Sequence, residues 1–87
     1  MDSYKVSRLD TGESMIFSCS AFGLDWYATW DDYRPTHAVV YEFYGPKGWC
    51  PVVYWFESSD EANHKVSVVR HREDVRDLSI VPVHPVN

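Results

Sequence analysis

The side chains able to do chemistry in this chain are few and far apart. His37, His64, His71 and His84 have no histidine or cysteine at i+2, i+3 or i+4, the spacings from which one turn or strand builds a zinc site. A metal centre would have to be assembled from distant segments. His64 and His71 stand seven residues apart, which suits one helix face, where two solvated imidazoles are the plainer outcome. Asp25, Asp31 and Asp32 have the donor chemistry for a cation or for paired carboxylates. Acids in a turn-rich stretch ahead of Pro35 more often cap and solvate a loop, which is the favoured reading. Cys19 and Cys50 lack metal-type spacing and read as small buried hydrophobes in a reducing compartment, with a disulfide as the other reading. There is no phosphate-cradling glycine loop and no nucleophile elbow; Gly12, Gly23, Gly45 and Gly48 each stand beside a turn signal. The expectation is a protein without catalytic residues, metal or cofactor, and so not an enzyme.

What the chain has in excess is aromatic rings: 16% of its residues, with eleven of the fourteen between Trp26 and Phe56. Their chemistry is contact, because Trp and Tyr supply large rigid surfaces at small entropic cost and dominate binding hot spots. The element that must carry them is the most legible in the chain. Residues 38–57 read AVVYEFYGPKGWCPVVYWFE, two β-branched and aromatic runs around a Gly-Pro-Lys-Gly turn, which predicts a β-hairpin. Closing the turn at Gly45 and Gly48 pairs Tyr44 with Trp49, Phe43 with Cys50, Tyr41 with Val52 and Val39 with Tyr54. One face is then a core set: Val39, Tyr41, Phe43, Cys50, Val52, Tyr54 and Phe56. The other holds Val40, Glu42, Tyr44, Trp49, Pro51, Val53, Trp55 and Glu57. Pro51 cannot donate to a ladder, so its strand belongs at an edge or carries a bulge.

The remaining elements position this hairpin. Tyr4–Leu9 has weak strand character, Asp10-Thr11-Gly12 is a turn signal, and Met15–Ser20 alternates Met15, Phe17 and Cys19 against Ile16, Ser18 and Ser20. Phe22, Trp26, Trp30 and Tyr33 fall on one stripe of a short helix that Pro35 would stop; a loop with one helical turn is the alternative. Ser58 and Glu61 form a capping box for a helix with Ala62, Val66 and Val69 on its apolar stripe, although the β-branched run 65–70 also suits a strand. Residues 78–83 are a last strand, placed at an edge by Pro82, and the tail from His84 is expected to fray. Residues 1–87 are therefore read as a single α+β domain: an antiparallel sheet of four to five strands packed against one or two helices. If the first strand is peripheral, the order becomes the βαββαβ of ferredoxin-like domains. Such a sheet leaves one face to water or a partner, and the second hairpin face would lie there.

Thirteen acids against eight Lys and Arg give a net charge of -5, which opposes non-specific attraction to phosphate backbones and anionic membranes and favours a target protein with a basic surface. The start lacks the pattern of a signal peptide and no apolar run suits a membrane span, so the expected address is the cytoplasm. The candidate partner-binding residues are Tyr44, Trp49 and Trp55, rimmed by Glu42, Glu57, Asp60 and Glu61. If the segment before Pro35 covers the rings instead, they form a second small core. The combination points to a non-enzymatic binding module, an inhibitor or modulator of a larger macromolecule of the kind phages and mobile elements encode; a homodimer through the same face also satisfies the rings. The alternative is single-stranded RNA or DNA binding: residues 47–54, KGWCPVVY, resemble the RNP1 pattern of RNA-recognition motif domains. That resemblance implies base stacking on the sheet by Trp49 and Tyr54. Pro51 stands where the pattern has a further ring, and Ile16-Phe17 is the nearest counterpart of the companion RNP2 motif.

Overall fold

Alternation and turn chemistry build the strands of this computed structural model, which describes residues 15–30 and 33–86. Strand β1, Met15–Ala21, pairs over its whole length with β2, Leu24–Trp30. The two-residue turn between them places Phe22 at φ 57 and Gly23 at φ 75, the left-handed pair that a tight hairpin turn requires. The segment expected as a helix, or as a loop with one helical turn, is instead a strand from Leu24 to Trp30. As a strand, seven residues pair with β1 and Trp26 is buried. The strand expected at Tyr4–Leu9, with its following turn, lies outside the described residues, as do Asp31 and Asp32.

The central hairpin has the register derived from its turn. Strand β3, His37–Gly45, pairs with β4, Gly48–Phe56, matching Tyr44 to Trp49, Phe43 to Cys50, Tyr41 to Val52 and Val39 to Tyr54. Pro46 opens the turn and Gly48, at φ 104, closes it. Helix α1, Ser59–Val69, starts at the predicted cap: the Ser58 Oγ accepts from the Glu61 N–H at 3.2 Å. The chain then runs through β5, Val75–Pro82, and β6, His84–Val86. The tail expected to fray instead pairs, as β6, with Ile16, Phe17 and Ser18 of β1.

These elements make a small α+β fold of two three-stranded antiparallel sheets and one helix, with strand orders β2-β1-β6 and β4-β3-β5. A single sheet of four to five strands and the βαββαβ order do not describe it, because the first expected helix is a strand and the last strands divide between sheets. The central sheet β4-β3-β5 is covered on both faces. On one side Cys19, Ala21 and Trp26 of the first sheet meet Ala38 and Val40, with Val53, Trp55 and Val81 around them. On the other, Ala62, Val66 and Val69 of α1 pack on Val39, Tyr41, Phe43, Val52, Phe56, Val75, Leu78 and Ile80. The open second face expected of the hairpin is thus closed along half its length. Both edge assignments agree with the structure: Pro51 lies on β4 and Pro82 on β5, the two outer strands of this sheet.

One irregularity decides which side chains of β5 face which way. Val40 pairs with Ser79 but Glu42 pairs with Arg76, so Asp77 and Leu78 together stand opposite Tyr41 as a β-bulge. The bulge reverses the parity of β5. It sends Val75, Leu78 and Ile80 to the helix side despite their uneven spacing, and turns Arg76 to the face of Glu42. Asp77 carries it at φ 58, a left-handed conformation that Asp tolerates better than β-branched residues do. Asp77→Gly should leave stability unchanged or slightly raised. Asp77→Val should lower it by about 1 to 2 kcal/mol in urea denaturation, the cost of a β-branched residue in that region.

The buried core also sets an alkaline limit. Burial first, and the Asp25 carboxylate second, push the Cys19 thiol from 9.0 up to about 11. Tyr41 is pushed from 10.0 up to about 12, by burial first and then by its hydrogen bond to Tyr54. Both groups stay protonated in the folded chain above the pH at which they ionise when unfolded. Their contribution is complete below pH 9 and is lost as the pH rises toward 11 for Cys19 and toward 12 for Tyr41. Urea midpoints should fall steeply over that window, and Cys19→Ala should remove about 2 to 3 kcal/mol of the fall.

Candidate functional site

The central sheet presents its second face as four rows of side chains, three of them crossing β4, β3 and β5 and the last crossing β4 and β3. Trp55, Ala38 and Val81 form the first, and Val53, Val40 and Ser79 the second. Apart from the exposed Ser79 both lie under the first sheet, and Tyr33 donates its hydroxyl to the Trp55 carbonyl at 2.8 Å at their edge. The third row is Pro51, Glu42 and Arg76. In the fourth, Trp49 and Tyr44 are paired, and the Tyr44 N–H donates to the Asp74 carbonyl at 2.8 Å. The first sheet stops short of these two rows, leaving Tyr44 60% and Trp49 37% exposed.

Local contacts hold the exposed rings in place. Tyr44 meets Trp49 edge-on, with centroids 5.3 Å apart and planes at 64°. Arg76, turned to this face by the bulge, spans β3 and lays its guanidinium 4.2 Å from the Trp49 ring centre. Glu42, between them on β3, accepts from Arg76 Nε at 2.8 Å. Behind the rings Arg72 donates twice to Asp74, at 3.0 and 2.8 Å, and holds that carboxyl below its ordinary range. Tyr44, Trp49, Glu73 and Asp74 line a cleft of about 390 Å³.

The structure divides the seven residues singled out from the sequence into three groups. Tyr44, Trp49 and Glu42 come together at the hairpin tip. Trp55 packs between the sheets. Glu57 accepts from the Arg34 N–H at 3.1 Å near the hairpin base, while Asp60 and Glu61 occupy the first turn of α1. Those two line a separate groove of about 580 Å³ with Phe56, His64, Lys65 and Val68. The rim at the tip is made instead by Glu73, Asp74 and Arg76, which sequence reasoning missed. Their one signal was the broken alternation of Val75-Arg76-Asp77-Leu78, where two polar residues in succession mark the bulge.

The two rings of the RNP1-like stretch lie on opposite faces of β4. Tyr54 is on the helix side, stacked on Tyr41 at 6.1 Å with the Lys65 ammonium 4.1 Å above it. Both cysteines are free thiols, Cys19 buried and Cys50 half-buried. Among the described residues no three His, Cys, Asp or Glu side chains gather as a metal site, and no helix is long and apolar enough to cross a membrane. Comparison of the chain with known protein families, curated proteins and solved structures finds no match.

The Arg76 strut orders a surface more than it stabilises the fold, since exposed ion pairs contribute about 0 to 1 kcal/mol. Arg76→Ala should shift the urea midpoint little. It should broaden or move the Trp49 indole resonance in a proton–nitrogen spectrum while leaving that of Trp26 in place.

Proposed function

We propose that this protein is a non-enzymatic protein-binding module whose anchor is the Tyr44–Trp49 pair at the tip of the β3–β4 hairpin. One observation carries the reading: two large rings are exposed side by side and already held in position by Arg76, Glu42 and each other. A preset pair loses little freedom on binding. Burying what remains exposed of the two rings, roughly 200 Å², contributes about 5 kcal/mol before the costs of association. Anchors of this size, surrounded by polar groups, are what hot spots consist of. The charge of -5 favours a target with a basic surface and speeds encounter with it. Acting by occupying that surface, the protein would inhibit or modulate a larger macromolecule, as small phage-encoded accessory proteins do. Its free thiols suit a reducing compartment such as the cytoplasm.

Binding of single-stranded nucleic acid has less to draw on. Stacking needs rings on one open sheet face, whereas Trp49 and Tyr54 point to opposite sides and Tyr54 is engaged by Tyr41 and Lys65. Trp49→Ala and Tyr44→Ala should keep the far-ultraviolet spectrum and cost under about 1 kcal/mol of stability, as surface substitutions do, yet abolish capture of the target from host extract. Trp55→Ala is the contrasting variant. It should destabilise the fold by about 3 kcal/mol, because it opens a cavity between the sheets. Capture unaffected by loss of both Tyr44 and Trp49 would reject the hairpin tip as the anchor.

A further inference from the structure

The binding reading leaves open what the target places beside the rings, and the cleft lined by Tyr44, Trp49, Glu73 and Asp74 narrows it. Resting on that reading, we propose that this cleft receives an arginine side chain of the target protein. Two aromatic rings and two acidic residues line about 390 Å³ of mostly apolar surface, which suits a guanidinium on its apolar stem better than an anion. The volume is ample for a guanidinium and its stem. The protein's own chemistry identifies the preferred cation, since Trp49 already accepts the guanidinium of Arg76 at 4.2 Å, braced by Glu42. A planar, weakly hydrated guanidinium can lie on a ring and present two donors to a carboxylate at once, which an ammonium cannot do.

The local charges leave one acid uncommitted. Glu42 is held by Arg76 and Asp74 by Arg72, while Asp77 lies 3.8 Å from Arg76. Glu73 has no ion pair among the described residues and lines the cleft beside Tyr44. Around the tip the acids Glu42, Glu73, Asp74 and Asp77 outnumber the cations Lys47, Arg72 and Arg76 by one. An incoming arginine would stack against the ring pair and pair with Glu73, neutralising it.

Titration of the isotope-labelled full chain with a capped tri-arginine peptide tests the assignment, with capped tri-lysine and tri-glutamate peptides as comparisons. The arginine peptide should move the Trp49 indole, Tyr44 and Glu73 resonances. Tri-lysine should bind several-fold more weakly and tri-glutamate not at all. Glu73→Gln should weaken arginine binding about tenfold, the loss of one charge-assisted pair, and Trp49→Ala should abolish it. Equal binding of lysine, shifts spread equally to Asp60 and Glu61, indifference to Glu73→Gln, or preferential binding of a single-stranded oligonucleotide at the cleft would each overturn the proposal. So would self-association of the free protein through the same residues. If the peptide ignores the cleft while Trp49→Ala still loses the target, the arginine assignment falls and the binding reading stands. If the peptide fills the cleft while the ring variants keep the target, the arginine assignment stands and the anchor is elsewhere.

Discussion

Strand β3 is the constraint on which the other elements depend. Ala38, Val39, Val40 and Tyr41 are buried in succession, at 0, 0, 2 and 6% exposure, so both sides of this strand must be covered by apolar surface. A strand facing water on one side would alternate, and consecutive burial is the pattern of a strand in a middle layer. One helix covers one side. The other needs a second sheet, and the chain provides it from its two ends, with the β1–β2 hairpin and the short β6. Residues 84–86 are ordered for this reason. They pair with β1 on the side away from β2, after the chain crosses between sheets at Val83, whose N–H donates to the Thr36 carbonyl at 3.2 Å.

The covering sheet is shorter than the face it covers, and the exposed site follows from that mismatch. β3 and β4 each run nine residues, and the first sheet meets only the half nearest His37 and Phe56. Beyond it the apolar pattern of the hairpin changes to Glu42, Tyr44 and Trp49. The bulge at Asp77-Leu78 coincides with the change, giving β5 an apolar residue for the helix side on both sides of the bulge and a cation for the exposed rows. Bulges recur beside functional sites because they re-aim a side chain without interrupting a sheet, and here the re-aimed residue is Arg76.

Much of the hairpin was legible because its information is local. A four-residue turn sets the register, the register sets the faces, and the capping box at Ser58 and Glu61 marks the helix that follows. The segment 22–33 was misread for an equally local reason: Phe22, Trp26, Trp30 and Tyr33 satisfy helical spacing, while Leu24, Trp26, Ala28 and Trp30 satisfy strand spacing as well. Pairing with β1 decided between them. Glu73, Asp74 and Arg76 escaped notice because their neighbours at the tip lie on another strand far along the chain, and such pairings leave no periodic trace.

By itself, the sequence determined that this is a small α+β protein with an aromatic-rich hairpin in a given register, since alternation, turns and caps act within a few residues. Only the tertiary structure decided the fate of the three rings on the second face. Trp55 is covered because a sheet built from both ends of the chain packs over that half. Tyr44 and Trp49 remain accessible because that sheet ends before reaching them. How far one layer extends over another depends on contacts between distant segments, and no local pattern records it.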